Sequence, residues 1–582
     1  MAYLKVKKIK GKKYYYAVES KRINGKPRIV NQIYLGSIEQ LINAKKLANE
    51  PPPAKEVSVF DFGLVATCVN FADKLGLVEL IDRFVPKRQQ GLSVGEYLVI
   101  AAISRAVDPI SKRACWDWYR STCLSRLWGN RISKPQLSSQ RFWDHMDKVP
   151  LKAIQKIEKA LSQRLVELYN LDLRFLIYDT TNYYTYIDTF NDRTALAQRG
   201  RNKQKRNDLR QVNLALAVTR DFHIPLFHRL YAGNTIDSKS FPGVVDELVK
   251  RYALLASHCD DITLVYDKGN NSKKNQEKVD ASAYHFIGSL KMNDFPDLAA
   301  LKTDSERFTF LKHQRLKSVK AYRTKAIVFG KERTIVVTFS QTLYEKQHKT
   351  LLRIIARCQT KLQELKDKLQ KRLDARAAGQ PLPGRPPTRE SVESEVRAIL
   401  KPQYMKQLFD VRLVERDGLV SLEYTSPLGR EVLTDIQKTR LGKTILFTDR
   451  DDWSTEEIIL GYRGQYRIES AFKISKRGHF MAWRPTFHWT DQKLHVHAFY
   501  CVLSLLFISI AHRQVWQAGI KIGLPTLEKE LKAIQEVMFV QISPSRKSKN
   551  VSVSRRLTRM SERQRAIYEA LELGRLAPNS NS

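Results

Sequence analysis

Between residues 171 and 290 the chain alternates short apolar runs with one amphipathic and one polar segment, and that order admits few folds. Leu173 to Tyr178 is almost wholly apolar, as a buried strand requires. Val212 to Val218 and Ile224 to Tyr231 read as a second and third strand, separated by a tight turn at Arg220-Asp221. Phe241, Val244, Val245, Leu248, Val249 and Tyr252 fall at helical spacing. Ile262 to Tyr266 reads as a fourth strand, a polar helix follows near 272–281, and His285 to Ile287 is a fifth strand. The order is β-β-β-α-β-α-β, so the expected fold class is α/β with one sheet at its centre.

Two acids occupy corresponding places in this pattern. Asp179 directly follows the first apolar run, in Tyr178-Asp179-Thr180-Thr181-Asn182, and Asp267 directly follows the fourth, in Tyr266-Asp267-Lys268-Gly269. A carboxylate at the end of a buried strand is costly unless it is paired or bound. If the two strands are neighbours, both carboxylates emerge at one edge of the sheet, and hard oxygen ligands so placed suit Mg²⁺ or Mn²⁺. Taken singly, each Asp is an ordinary turn or cap residue; the matching position sets the pair apart.

A third carboxylate comes from the best-marked helix in the sequence, residues 454–477. Ser454 and Glu457 have capping-box spacing, and Gly478 stands where the helix should end. Tyr462, Gln465, Glu469, Lys473 and Lys476 follow at intervals of three, four, four and three and share one face. One acid among a tyrosine, an amide and two lysines makes a poor core stripe. It makes a good face for holding a metal and grasping a phosphate.

These features resemble the DDE transposases, whose core is RNase H-like. The helix resembles the signature Tyr-x2-Arg-x3-Glu-x6-Lys of the insertion-sequence-four class: Tyr462, Glu469 and Lys476 match it, and Gln465 stands at its Arg position. Arg463 and Arg467 are close by but off the Glu469 face. Arg210-Gln211, Gly233-Asn234 with Asp237, and Asp267-Lys268-Gly269 with Ser272 and Asn275 are similar to the same class. The likeness covers about residues 171–290 and 450–480. The Tyr-rich N-terminus ending in Leu35-Gly36 is similar to a branch with a β-rich insertion before its Glu. The resemblance implies an RNase H-like core (β-β-β-α-β-α), interrupted by that insertion with a helical hairpin and flanked by helical regions. It also implies that Asp179, Asp267 and Glu469 are catalytic and hold two Mg²⁺ ions, with Mn²⁺ as a substitute, and that Tyr462, Gln465, Lys473 and Lys476 contact DNA. The implied activity is cleavage of the ends of a bacterial insertion sequence and joining of their 3′-hydroxyls to target DNA. The partners are then terminal inverted repeats and target DNA, acted on by a homodimer in the synaptic complex. The chain would be cytoplasmic and nucleoid-associated.

Charge and composition agree with a polyanion partner. Lys plus Arg is 100 against 60 Asp plus Glu, a formal net charge of +40, and basic surfaces gain affinity by releasing counterions from phosphates. Arg199, Arg201, Lys203, Lys205 and Arg206 lie in one short segment between the first two strands, suited to the DNA backbone. The six cysteines form no Cys-x-x-Cys pair, which argues against a zinc ribbon or a disulfide framework. The N-terminus has no apolar h-region of a signal peptide. Ala498 to Ala511 is shorter than the ~20 residues that span a bilayer and reads as a buried core helix with Asp491 as its N-cap, so no membrane partner is expected.

Residues 1–50 form a small basic β unit around a turn at Asn24-Gly25, joined by Pro51-Pro52-Pro53 to a helical region at 54–170, where Ser93 and Glu96 form a capping box and Trp116, Trp118 and Trp128 belong to the core. The first part of the catalytic core spans 171–290. The insertion spans 291–450, with strand-like Arg333 to Phe339 and a hairpin around Asp417-Gly418. Its heptad seam, Leu351, Ile355, Cys358, Leu362, Leu365 and Leu369, can pair within or between chains. The Glu helix occupies 451–485, and 486–582 is read as helical, with basic Arg546-Lys547-Ser548-Lys549 and Arg555-Arg556. Two other readings remain at this level: a transposase-derived DNA-binding protein without activity, and an RNase H-like nuclease or resolvase that only hydrolyses.

Overall fold

The computed structural model describes the whole chain except residues 1, 24–25, 50–53, 87–89, 130–131, 201, 203–205, 257–260, 382–383, 417, 426, 428–430, 466–468, 470–471, 474–475, 477–481, 485, 487, 545–548 and 580–582. The Asn24-Gly25 turn, the Pro51-Pro52-Pro53 linker, Asp417, Gly478 and most of the basic run at 546–549 therefore lie outside the described residues. The chain divides into two compact units: Met1–Thr67 with Asp117–Arg131 and Ala518–Ser582, and Cys68–Trp116 with Ile132–Gln517.

The first unit begins with three antiparallel strands, β1 (Ala2–Ile9), β2 (Lys12–Ile23) and β3 (Lys26–Ser37). Tyr14 and Tyr16 pack their rings against Tyr34 across the β2–β3 pair. A helix, Ile38–Asn49, and a further strand, β4 (Ala54–Asp61), follow.

The second unit holds the expected sheet and extends it. Its strands are β5 (Phe175–Tyr184), β6 (Gln198–Arg199), β7 (Arg210–Thr219), β8 (Pro225–Ala232), β9 (Thr263–Tyr266), β10 (His285–Leu290), β11 (Thr309–Phe310), β12 (Val319–Val328), β13 (Lys331–Ser340), β14 (Asp410–Arg416), β15 (Leu419–Thr425) and β16 (Lys443–Thr448). Among the described residues, all but β14 and β15 share one sheet, ordered β11-β12-β13-β16-β10-β9-β5-β7-β6, with β8 also on β7. β5, β9 and β10 run parallel, and the other neighbours are antiparallel. The β-β-β-α-β-α-β order holds, with helices Asp237–Ala256 and Lys273–Asp280 at the expected places.

The segment 291–450 is less separate than its sequence suggests. β12, β13 and β16 continue the central sheet beyond β10. What stands apart is the stretch between β13 and β16. There a long helix, Gln341–Ala377, buries the whole heptad seam, Leu351 to Leu369, against Val392, Met405, Leu408, Leu422 and Ile436. The seam thus pairs within the chain: helix Arg389–Ile399 and the β14–β15 hairpin contribute to this small core.

The apolar segment near the C-terminus is a helix of 27 residues, Asp491–Gln517. It is long and apolar enough to span a bilayer, but 89% of its most apolar window is buried inside the protein. Asp491 is not its cap. The Thr490 hydroxyl accepts from the backbone N–H of Lys493, while the Asp491 carboxylate accepts from Thr194 Oγ1 and from the backbone N–H groups of Ala195 and Leu196. The Ser93–Glu96 capping box forms as expected. Trp118 is buried, whereas Trp116 and Trp128 are half-buried.

The C-terminal region, expected to be mainly helical, also holds two strands in the first unit. β17 (Gln535–Pro544) and β18 (Lys549–Leu557) form a hairpin, and β17 also pairs with β4. Val551-Ser552-Val553-Ser554 alternates with a period of two, the strand signal in this stretch. Glu536 on β17 is fully buried and is held by Arg126 and Arg555.

Candidate functional site

The positions of Asp179 and Asp267 follow from strand register. β5 and β9 pair in parallel through Phe175↔Thr263, Leu176↔Leu264 and Ile177↔Val265. Two residues past the last pair, Asp179 and Asp267 stand abreast, and side chains two apart share a face. Asp267 keeps extended backbone angles just beyond its strand. Asp179 does not end its strand, as its sequence suggests. β5 runs on to Tyr184 because β7 continues to pair with it, as far as Tyr184↔Gln211. Asp179 therefore sits where β5 loses β9 on one side and keeps β7 on the other.

The two faces of these strands are covered by different helices. The Phe241 ring of helix Asp237–Ala256 packs 5.3 Å from that of Tyr178 and 4.9 Å from that of Tyr266. The opposite face, that of Phe175, Ile177 and Asp179, receives the helix that begins at Thr455–Arg463. Two glycines bring that helix onto the sheet. A Cβ on Gly461 would fall 2.5 Å from Phe175 Cε1 and 3.0 Å from Ile287 Cδ1, and one on Gly464 would fall 2.9 Å from Ile177 Cδ1. The Ser454–Glu457 capping box fixes the start of the helix. Its first stretch ends at Arg463, where Gly464 caps it, so the single helix expected over 454–477 is interrupted there; beyond it, Gln465, Glu469, Phe472, Lys473 and Lys476 are each helical.

Asp179, Asp267 and Glu469 line one cleft of about 1040 Å³, together with Tyr462, Gln465, Lys473 and Lys476. All three acids expected from the sequence, and the expected helix face, thus border the same cleft. Asp267 Oδ1 accepts from the Ser289 hydroxyl at 3.2 Å, and the Tyr462 hydroxyl lies 2.7 Å from Ser289 Oγ and 3.2 Å from the same carboxylate oxygen. Burial, and then the negative charge of Asp267, push the Tyr462 phenol well above its ordinary range, so it is a neutral donor. Asp179 Oδ1 accepts from the backbone N–H of Thr180 at 2.8 Å. Glu469 is half-exposed and lies 3.6 Å from Lys473 Nζ. An exposed pair of that kind is worth ~0.5 kcal/mol or less, so it is easily exchanged for another partner. Among the described residues, no three His, Cys, Asp or Glu side chains lie close enough together to hold a metal ion, so Glu469, paired with Lys473, stands apart from the two aspartates.

Gln465 has a different neighbourhood from a phosphate-contacting side chain. With its amide oxygen toward the strand, it accepts from the backbone N–H of Asp267 at 2.8 Å and from that of Tyr266 at 3.3 Å. It ties the helix to the end of β9. Lys476 lies over the Tyr183 ring at 5.5 Å.

The basic segment between the first two strands is only partly described. Arg199 is exposed on β6 and donates to Thr189 Oγ1. Arg206 is paired with Asp208 at 2.8 Å. Arg201, Lys203 and Lys205 lie outside the described residues. Gly200 and Gly233 line the cleft, and a Cβ on Gly233 would fall 2.0 Å from the Gln211 carbonyl oxygen. Only glycine permits that approach. Gln211 is buried and donates to the Gly233 carbonyl at 2.7 Å, which accounts for the company of Gln211 and Gly233 in the sequence.

Other cleft residues were not legible. Arg463, off the Glu469 face by helical geometry, nonetheless lines the cleft, as do Thr342, Leu343 and Lys346 at the start of helix Gln341–Ala377. No local motif marks Lys346, which is far from both aspartates in sequence. Conversely, His497 is fully buried against the Trp483 carbonyl and the Tyr500 hydroxyl, and burial lowers the His495 imidazole to about 4. Neither lines the cleft.

No protein-family model matches the chain, and no curated protein matches it. Among solved structures, it is similar to a piggyBac transposase synaptic complex with hairpin DNA determined by cryo-electron microscopy. The identity is 8%, 82% of each chain is covered, and the TM-score is 0.34, a likeness too distant to carry an assignment of fold or activity.

Proposed function

We propose that the chain is a DNA transposase of the DDE type with an RNase H-like core, and that Asp179, Asp267 and Glu469 are its catalytic carboxylates. The observation that carries this reading is the pair of aspartates abreast at the opening between β5 and β9, with Glu469 on the helix that closes the same cleft. The order of β5, β7, β8, helix, β9 and helix supports the RNase H-like reading. The signature spacing of Tyr462, Glu469 and Lys476 narrows it to an insertion-sequence-four-like enzyme.

The donor set fits hard divalent cations: three carboxylates, no thiolate, and a cleft rimmed by cations. Asp179, Asp267 and Glu469 would hold two Mg²⁺ or Mn²⁺ ions, Glu469 by leaving Lys473. Bound there, the ions supply Lewis acidity for the attack of water or a DNA 3′-hydroxyl on a phosphodiester. Ser289 and Tyr462 hold one oxygen of Asp267 in place. Gln465 holds the backbone beneath it. Lys346, Arg463, Lys473 and Lys476 attract and position the phosphates, and the overall charge of +40 favours duplex DNA. Two ends must be cut together, so the working complex would be a homodimer on terminal repeats and target DNA.

The test is incubation of the full chain with DNA carrying its own element ends, in Mg²⁺ and in EDTA. Asp179→Ala, Asp267→Ala and Glu469→Ala should each lower Mg²⁺-dependent cleavage by about a thousandfold or more, several kcal/mol of barrier, while end binding in a gel-shift assay persists. Full cleavage by the Glu469→Ala protein would remove that residue from the site.

A further inference from the structure

Helix Gln341–Ala377 has two unlike sides. One is the leucine-rich seam buried in the small core. The other is exposed and basic. Lys346 lines the cleft, and Lys349, Arg353, Arg357 and Lys361 follow at steps of three or four residues, all five exposed. At 100° per residue they fall within one arc opposite the seam. The rest of that arc up to Lys361 is Thr342, Thr350, Thr360 and, at its edge, the half-buried Leu343, with no acid. The acids on this helix are held aside or further on: Glu345, Asp367 and Asp374 each accept from a glutamine four residues earlier, and the exposed Glu364, one turn past Lys361 at the angle of Lys346, ends the basic row. Among the described residues, none of the five cations takes part in an ion pair. A solvated charged face ordinarily mixes both signs and forms i,i+4 pairs; this one does neither.

We infer that this stripe is a binding surface for the backbone of double-stranded DNA, carrying the duplex that leaves the cleft. The inference rests on the reading of the cleft given above and extends it to a second surface. Lys346 to Lys361 spans ~22 Å at 1.5 Å per residue, about the rise of six or seven base pairs. The seam locks the helix to its own core, so the five cations are presented as a fixed row. From Lys346 to Lys361 the row contains no apolar side chain to enter a bilayer, Leu343 before it being half-buried at the cleft, and no base-reading amide, so the contact is to phosphates and is independent of sequence.

The experiment is binding of a fluorescein-labelled 30-base-pair duplex to the full chain, by anisotropy, in EDTA and across a salt series. In the variant Lys349→Gln, Arg353→Gln, Arg357→Gln, Lys361→Gln, the slope of log K against log salt should fall by about 2–4, since each phosphate contact contributes roughly 0.9. A charge-preserving variant, with Lys and Arg exchanged at the same four positions, should keep the original slope and shows that any loss is not misfolding. Lys152→Gln, Lys156→Gln, Lys159→Gln, Lys250→Gln removes four exposed cations elsewhere in the same unit. An unchanged slope in the first variant, or an equal fall in the last, overturns the inference. So does a result in which the first variant loses binding only to phosphatidylserine vesicles. Because the measurement needs no cleavage, an inactive cleft would leave its outcome untouched.

Discussion

At the residue scale, the telling position is Gln465. The signature of the class has an arginine there, and an arginine can only donate. In this chain the backbone N–H groups of Tyr266 and Asp267 point at position 465 and need an acceptor, which the amide supplies. The departure from the signature is thus matched by its neighbours. Gln465→Met keeps the volume and removes the acceptor; it should lower stability in urea unfolding by about 1–2 kcal/mol, the usual cost of two lost hydrogen bonds at a part-buried site. Gln465→Arg should cost more, because it also sets donor against donor. A Gln465→Arg protein as stable as the parent would show that the N–H groups find water instead, and that the amide has no positioning role. Sequence alone marked this position as odd without giving the reason, because the reason is a backbone 198 residues away in number, counted from Asp267, and adjacent only in the fold.

At the element scale, the strands and helices of 171–290 were legible because each carries its own period: apolar runs for buried strands, 3.6-residue spacing for helix Asp237–Ala256. β12 was not, since its half-exposed residues mix polar and apolar types and only the neighbouring strand makes them a sheet; β16 is buried but short, its three apolar residues flanked by Lys443, Thr444 and Thr448. The Glu469 helix was legible by its cap and its face, but how tightly it rides on the sheet was not. Gly461 and Gly464 set that distance. The Phe175 ring beneath Gly461 cannot easily move, being packed 5.0 Å from Trp453 and 4.3 Å from the Arg220 guanidinium. Gly461→Ala should therefore destabilise by ~1–3 kcal/mol through overpacking, less the ~1 kcal/mol that alanine returns in helix propensity. Thermal unfolding would read this as a lower midpoint. Cleavage should fall further than stability alone explains, because the helix lifts Tyr462 and Glu469 from Asp267. A midpoint raised by the propensity gain would mean that the sheet yields and that the spacing is not set there.

At the scale of the whole molecule, the sequence suggested an insertion running from 291 to 450, and the sheet redraws its limits. β13 and β16 are adjacent antiparallel strands, paired as far as Phe339↔Lys443, and the Ser340 N–H donates to the Gly442 carbonyl at 2.8 Å. The chain thus leaves the sheet after Ser340 and returns to it beside the same point. Between them lie roughly 100 residues, the size of a small domain, with a core of their own from Leu351 to Leu441. Such a segment should be separable. Replacing 341–441 by Asn-Gly, a two-residue turn suited to an antiparallel pair, should leave the central sheet folded and cooperative in urea, with the loss of helix visible in far-UV circular dichroism. The excised segment should fold by itself, since its leucine seam is covered from within. The shortened protein should also lose salt-dependent duplex affinity as the four-charge variant does, and by at least as much, because Lys346 leaves with the stripe. If instead the shortened chain is insoluble or unfolds without a transition, the sheet depends on the long helix, and the apparent insertion is part of the core it interrupts.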